Sequence, residues 1–262
     1  MIINKYDPRL KKKDELSRTF VCGEMILEEL LTELHPRKNK KLSNQSWIII
    51  GSRGVGKSHL LALLYHRIKD DERLSSHWHP LIFPEELFDV DSLYRLLLKI
   101  FEAIFKTNGT AKNWNNINRE YLTLKKTKIN GNLKQKRQTR QDISKKLLEF
   151  LVQINQETGK KFIFILENLQ HLFREQLPEE DLKLLRSFMS EHPGVFIILG
   201  TALTVFNVIE NYGKPSYHFF RIRSMESLDQ RGIIDFLTKT AAFRNDKGIE
   251  EKIGDNRHYI NI

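Results

Sequence analysis

The sequence has 262 residues, with 43 Lys plus Arg against 33 Asp plus Glu, for a net charge of +10. That length can bury one substantial core, and 40% hydrophobic with 29% charged residues excludes both wholesale disorder and a membrane bundle. The single cysteine, Cys22, rules out a disulfide-stapled scaffold. The opening Met-Ile-Ile-Asn-Lys has no signal-peptide pattern, and apolar strings such as Val195 to Leu199 fall far short of the ~18 residues that span a bilayer. A soluble cytoplasmic protein without membrane association is expected.

In chain order, Ile26 to Leu34 places apolar residues at helical spacing with glutamates between them, and His35-Pro36 with the basic run Arg37 to Lys41 ends that helix. Trp47 to Ile50 is a short apolar run stopped by Gly51, as expected of a strand buried on both faces of a parallel sheet. Ser58 to Ile68 follows as a helix with a leucine face. Leu81 to Phe83 is a second strand, and Pro84-Glu85-Glu86 leads to a helix near Asp91 to Phe105.

The charge then concentrates. Between Lys106 and Lys146 lie twelve basic residues opposed only by Glu120 and Asp142, so this stretch carries the whole positive excess. Its Asn108-Gly109, Asn130-Gly131 and further asparagines are the chemistry of turns and loops. Two readings stay open: an arm for nucleic-acid phosphates, with Trp114 and Tyr121 stacking on bases, or a solvated, poorly ordered insertion.

Beyond it, Ile143 to Gln156 is an amphipathic helix, Phe162 to Leu166 a third strand, Pro178 to Glu191 a helix with an acidic first turn, and Val195 to Leu199 a fourth strand. A fifth strand is expected at Tyr217 to Ile222, then a helix from Ser227 to Ala241. Strands alternating with helices imply a three-layer α/β fold on a mostly parallel, five-stranded sheet. His77 and His79 have no Cys or acid cluster beside them and are set aside as metal ligands; Cys22, without a histidine partner, is read as a packing residue.

The most specific signal is Gly51-Ser52-Arg53-Gly54-Val55-Gly56-Lys57-Ser58, which fits G-x-x-x-x-G-K-[ST]. Its four fixed positions arise by chance in roughly one chain in a hundred of this length. Glycines let the backbone curl with N–H groups inward, and the helix that starts at the Lys-Ser end aims its dipole at the same charge. Lys57 can reach the β- and γ-phosphates of a nucleotide and Ser58 can ligate Mg²⁺. Such a site needs an acid at a neighbouring strand end, and Glu167-Asn168 after the third strand is the candidate.

These motifs, with an extra strand between them, resemble AAA+ and STAND-type P-loop ATPases, the origin-recognition-like group in particular, over about residues 20 to 236. Phe20 and Val21, opening Phe20-Val21-Cys22-Gly23-Glu24, resemble the box that borders the adenine. Gly51 to Ser58, with His59 following, resembles Walker A, Ile163 to Asn168 resembles Walker B, and Leu199-Gly200-Thr201-Ala202 resembles sensor 1. The resemblance implies ATP and Mg²⁺ as cofactors, Ser58 and Glu167 as the metal residues, and Glu167, Asn168 and Thr201 as the catalytic set. It also implies a P-loop core over 1–225 with a basic insertion at about 106–142, and the start of a helical lid over 226–262.

The sequence departs from the family where Asp-Glu is usual and Glu167-Asn168 stands. Asn168 can orient a water but cannot take its proton; it can equally be a strand-end turn residue, and Glu167 can itself be the catalytic acid with Leu166 in the metal position. Thr201 is a sensor or the cap of a following helix. Arg221 and Arg223 are an arginine finger or surface ion-pair partners. The expectation is an ATPase module with slow or partner-dependent hydrolysis, gating assembly with DNA (through 106–146) or protein partners, itself a homo-oligomer or part of a larger complex, in replication, transposition or mobile-element defence. The alternatives are a non-hydrolysing ATP switch and a P-loop small-molecule kinase.

Overall fold

A computed structural model describes residues 8–36, 44–85, 87, 89–107, 114–205 and 220–245. Five strands, β1 (Ser46–Ile50), β2 (Trp78–Ile82), β3 (Lys161–Leu166), β4 (Phe196–Ala202) and β5 (Phe220–Ser224), form one sheet in the order β2-β3-β4-β1-β5. All four pairings are parallel, with Ile48 opposite Gly200 and Leu166 opposite that same glycine from the other side. β4 lies between β1 and β3, while β2, the strand that falls between the two motifs in sequence, pairs with β3 at the edge of the sheet.

Because side chains alternate along a strand, each apolar run feeds two cores. Ile48, Phe162, Phe164, Leu166, Phe196 and Ile198 face one; Trp47, Ile49, Ile163, Ile165, Ile197 and Leu199 face the other. The second core is closed by α1 (Lys13–Thr19), α2 (Glu24–Leu34) and α3 (Lys57–Asp70). After α4 (Glu72–Ser75), the first is closed by α5 (Leu93–Thr107), α6 (Asn115–Lys126), α7 (Leu133–Thr158), α8 (Leu169–His171) and α9 (Glu179–Glu191). A π-helical turn, Leu172–Gln176, links α8 to α9. The result is the three-layer α/β fold of a P-loop NTPase.

The structure corrects several expectations. β2 begins at Trp78 rather than Leu81 and includes Pro80, which an edge strand tolerates because the missing N–H costs it no ladder bond on its open side. α5 begins at Leu93 rather than Asp91, since its first N–H donates to the distant Asp181 carboxylate at 2.7 Å. β4 runs on to Ala202, which puts Thr201 inside a strand and removes its reading as a helix cap. The last helix, α10 (Gln230–Arg244), starts where Asp229 accepts from the Gly232 N–H at 2.7 Å.

The basic segment is the largest correction. Its described residues are two helices packed on α5, not a poorly ordered insertion. Asn132 and Gln135 close a reciprocal capping box at the start of α7. Trp114 and Tyr121 are 8% and 3% exposed; Tyr121 stacks on Phe101 at 5.6 Å and its hydroxyl reaches the Leu98 carbonyl. Neither ring is available to a nucleic-acid base. Asn108-Gly109, the run 37–41 and residues 246–262 lie outside the described residues.

Among the described residues no group of three His, Cys, Asp or Glu could hold a metal ion, and no helix is long and apolar enough to cross a membrane. His79 instead packs edge-on against Phe162 at 5.6 Å, and burial, with Lys160 and Lys69 nearby, depresses its pKa to about 4 from 6.5. The folded chain therefore resists protonating it while the unfolded chain does not. Stability should fall as pH drops from ~6.5 to ~4, by about 1–3 kcal/mol. His79→Phe should flatten that limb in urea titrations across the window.

Candidate nucleotide site

The bend between β1 and α3 is built as the motif requires. Gly54 (φ 81°) and Gly56 (φ 102°) occupy left-handed backbone that a side chain would strain. α3 begins at Lys57, so its first-turn N–H groups have no acceptor within the helix and open toward the bend. Arg53 is exposed and Val55 buried. Lys57 folds back over the loop, its Nζ donating to the carbonyls of Gly51 and Ser52 at 2.7 Å each. Burial lowers its pKa, opposed by the carboxylates of Glu167 and Glu85.

In a parallel sheet all strands end at one edge, and that edge gathers the remaining candidates. Ser58 Oγ donates to the Glu167 carboxylate, joining residues 109 apart in sequence. Glu167 is only 7% exposed. The chain then turns sharply: Asn168 adopts φ 52° and ψ 41°, and its N–H donates to Thr201 Oγ1 at 3.2 Å. Thr201, buried in β4, thus fixes the backbone of Asn168. Gly200 is required beneath that turn, since a Cβ there would fall 2.0 Å from Leu169 Cδ1.

The side of the bend away from β3 is walled by residues the sequence reading passed over. Met225, just beyond β5, donates its N–H to the Ile50 carbonyl at 2.8 Å. A Cβ on Gly51 would lie 2.5 Å from the Met225 carbonyl oxygen, and Met225 Cε packs close to Gly23 and Gly56. Ser52 and Ser227 share a hydroxyl–hydroxyl bond at 3.1 Å, and Cys22 Sγ lies 3.5 Å from the Glu226 carbonyl. Met225 could have been found from the rule that strand ends in a parallel sheet converge, once β5 was placed beside β1.

Phe20 and Val21 sit where the chain passes α3 into α2. The Phe20 ring lies 5.5 Å from that of His59, and its carbonyl accepts from Lys239 Nζ on α10 at 3.3 Å. His59 bonds Leu16 O at 2.8 Å, and burial lowers its pKa. Its ring thereby ties α3 to α1. Arg221 and Arg223 are both engaged within the chain: Arg223 donates to Glu29 at 2.5 and 2.7 Å, Arg221 pairs with Glu29 at 3.2 Å, and both guanidinium groups lie over Trp47.

Hard oxygen donors, a hydroxyl and a carboxylate, meet beside a lysine and a ring of main-chain N–H groups. This donor set suits Mg²⁺, which takes one or two protein oxygens and fills its remaining positions with phosphate and water. The arrangement can hold a metal-complexed polyphosphate.

Comparison with known proteins bears on the family and the fold. A family model described as an AAA ATPase domain matches residues 19–198. Similar solved folds include the Drosophila ORC bound to DNA (TM-score 0.57, 13% identity, 92% of this chain and 52% of that one). The Aeropyrum pernix ORC1 protein in complex with DNA is also similar (0.54, 15%, 90% and 54%), as is the Aeropyrum pernix ORC2 protein in its ADPNP–ADP complexes (0.53, 16%, 89% and 52%). The chain thus spans about half the length of these structures. No curated protein matches it in sequence.

Proposed function

The chain belongs to the AAA ATPase domain family, and on that premise we propose that it binds ATP with Mg²⁺ between β1, β3 and Met225 and hydrolyses it slowly or under a partner's control. The observation that carries this reading is the meeting of Ser58 with Glu167 beside Lys57. The main-chain N–H groups at the start of α3 receive the phosphates, and Lys57 leaves the Gly51 and Ser52 carbonyls for phosphate oxygen, exchanging neutral acceptors for charged ones. Ser58 and Glu167 hold Mg²⁺, which when bound withdraws charge from the phosphates. Thr201 holds Asn168, whose carboxamide orients water. Phe20, Val21, His59 and Met225 border the nucleoside, and α10 begins the lid that follows a core ending near residue 225. Calorimetry with Mg-ATP, together with phosphate release, tests the assignment; a well-folded chain giving no heat would overturn it.

Asn168 favours a second reading of the same site, an ATP-gated switch that turns over little, because its side chain has no basic group. The family match weighs against a small-molecule kinase. We further propose that the output is assembly, in the cytoplasm, with DNA or with protein, including further copies of the chain. For DNA the support is the tip of α7. Leu133 is 78% exposed, and residues 133 to 138 are exposed on every face, so the helix projects from the body carrying Lys134, Lys136 and Arg137. Lys126 and Lys128, at and just beyond the end of α6, add exposed positive charge. Replacing Lys126, Lys128, Lys134 and Lys136 by Gln should weaken duplex binding at least ~10-fold at low salt and flatten the log–log salt slope by about 3–4. An unchanged gel-shift titration would remove the arm from DNA binding.

A further inference from the structure

A water that attacks phosphorus must lose a proton, and neither residue at the end of β3 is placed to take it. The Glu167 carboxylate is engaged with Ser58, and the Asn168 carboxamide has no basic site. The edge of the sheet supplies another carboxylate. β2 runs beside β3 until Ile82 stands opposite Ile165, and one residue on the Phe83 N–H still donates to the Ile165 carbonyl at 3.1 Å. Glu85 follows two residues after Phe83, as Glu167 follows two residues after Ile165.

The stretch that carries it is held at both ends. Phe83 is buried against Phe164, and Leu87 is buried with its carbonyl accepting from Gln176 Nε2 at 2.9 Å. Gln176 closes the π-helical turn that follows Asn168. Glu85 is exposed. A surface acid on a loop of this length ordinarily does no more than stay solvated. Here the anchoring at Phe83 and Leu87 coincides with the pairing of β2 beside the strand that leads to Glu167.

We propose that Glu85 is the general base of ATP hydrolysis in this chain, a step that rests on the ATPase reading above. The water oxygen bonds to the γ-phosphorus, its proton passes to the Glu85 carboxylate, and the bond from phosphorus to the bridging oxygen breaks with its electron pair leaving on ADP. Phosphate and ADP are the products. Asn168 then orients the water that Glu85 deprotonates, two tasks divided between two strand ends.

The test measures Mg-ATP affinity by calorimetry and phosphate release, with and without duplex DNA, for the parent chain, Glu85→Gln and Glu85→Asp. Glu85→Gln should lower kcat about 100-fold and change affinity less than twofold, with Glu85→Asp in between. Release by Glu85→Gln within threefold of the parent overturns the proposal, as does a parent that binds Mg-ATP and releases no phosphate under either condition. If both variants lose affinity together with rate, Glu85 only supports the loop, and the proposal fails in that way. A parent that does not bind Mg-ATP overturns instead the nucleotide-site reading beneath it.

Discussion

Lys57→Ala should lower Mg-ATP affinity about 10- to 150-fold and take phosphate release below detection. The ammonium is satisfied by two main-chain carbonyls at 2.7 Å, so its removal leaves those oxygens to water and costs the fold little. The loss appears on binding, where a charge-assisted contact to phosphate of about 1.5–3 kcal/mol disappears. The transition state, which carries more charge on the γ-phosphoryl oxygens than the ground state does, forfeits more. Calorimetry reads the first effect, single-turnover phosphate release the second, and an unchanged melting temperature shows that the fold survived. Affinity within threefold of the parent would show that the bend is not a phosphate cradle.

Glu167→Ala should be as severe in rate, lowering phosphate release ~1,000-fold, but its signature in binding differs. The carboxylate is buried and bonded to Ser58 Oγ, and its charge is what a Mg²⁺ ion would meet. Affinity for ATP in the presence of a chelator should therefore match the parent, while the gain in affinity on adding Mg²⁺ should vanish. Glu167→Gln keeps a partner for the Ser58 hydroxyl and should reproduce the loss, which separates charge from packing. If the chelator difference persists in both variants, the metal is held elsewhere.

How much of this was legible before the structure varies by residue, for physical reasons. The phosphate bend was plain because four residue types at fixed spacing answer to one geometry, and β1, β3 and β4 were plain because strands buried on both faces are unbroken apolar runs. β2 was read at Leu81 to Phe83 and its start missed, since Pro80 counts against a strand unless the strand is known to be an edge. The helix α6 was hidden by its own composition: asparagine and lysine suggested a loop, while Trp114, Ile117, Tyr121 and Leu124 already repeat at helical spacing. The same oversight offered two core aromatics as stacking platforms.

Other features were illegible for a different reason. That Asp181 caps α5, that Thr201 holds the N–H of Asn168, and that Met225 walls the bend all depend on strand order, which brings together residues 33 to 175 positions apart. Local pattern carries no trace of such pairs. Glu85 belongs with them: nothing in Pro84-Glu85-Glu86 distinguishes it until β2 is laid against β3.

The length of α7 has a mechanical consequence. It is one unbroken helix of 26 residues, about 39 Å at 1.5 Å per residue. Its tip stands in solvent and its far half is clamped in the core, turning through Gly159 into the strand that leads to Glu167. A rod clamped in this way does not bend where it is pushed. A load applied at Lys134 is felt at its fulcrum, as torque on the strand that carries the acid.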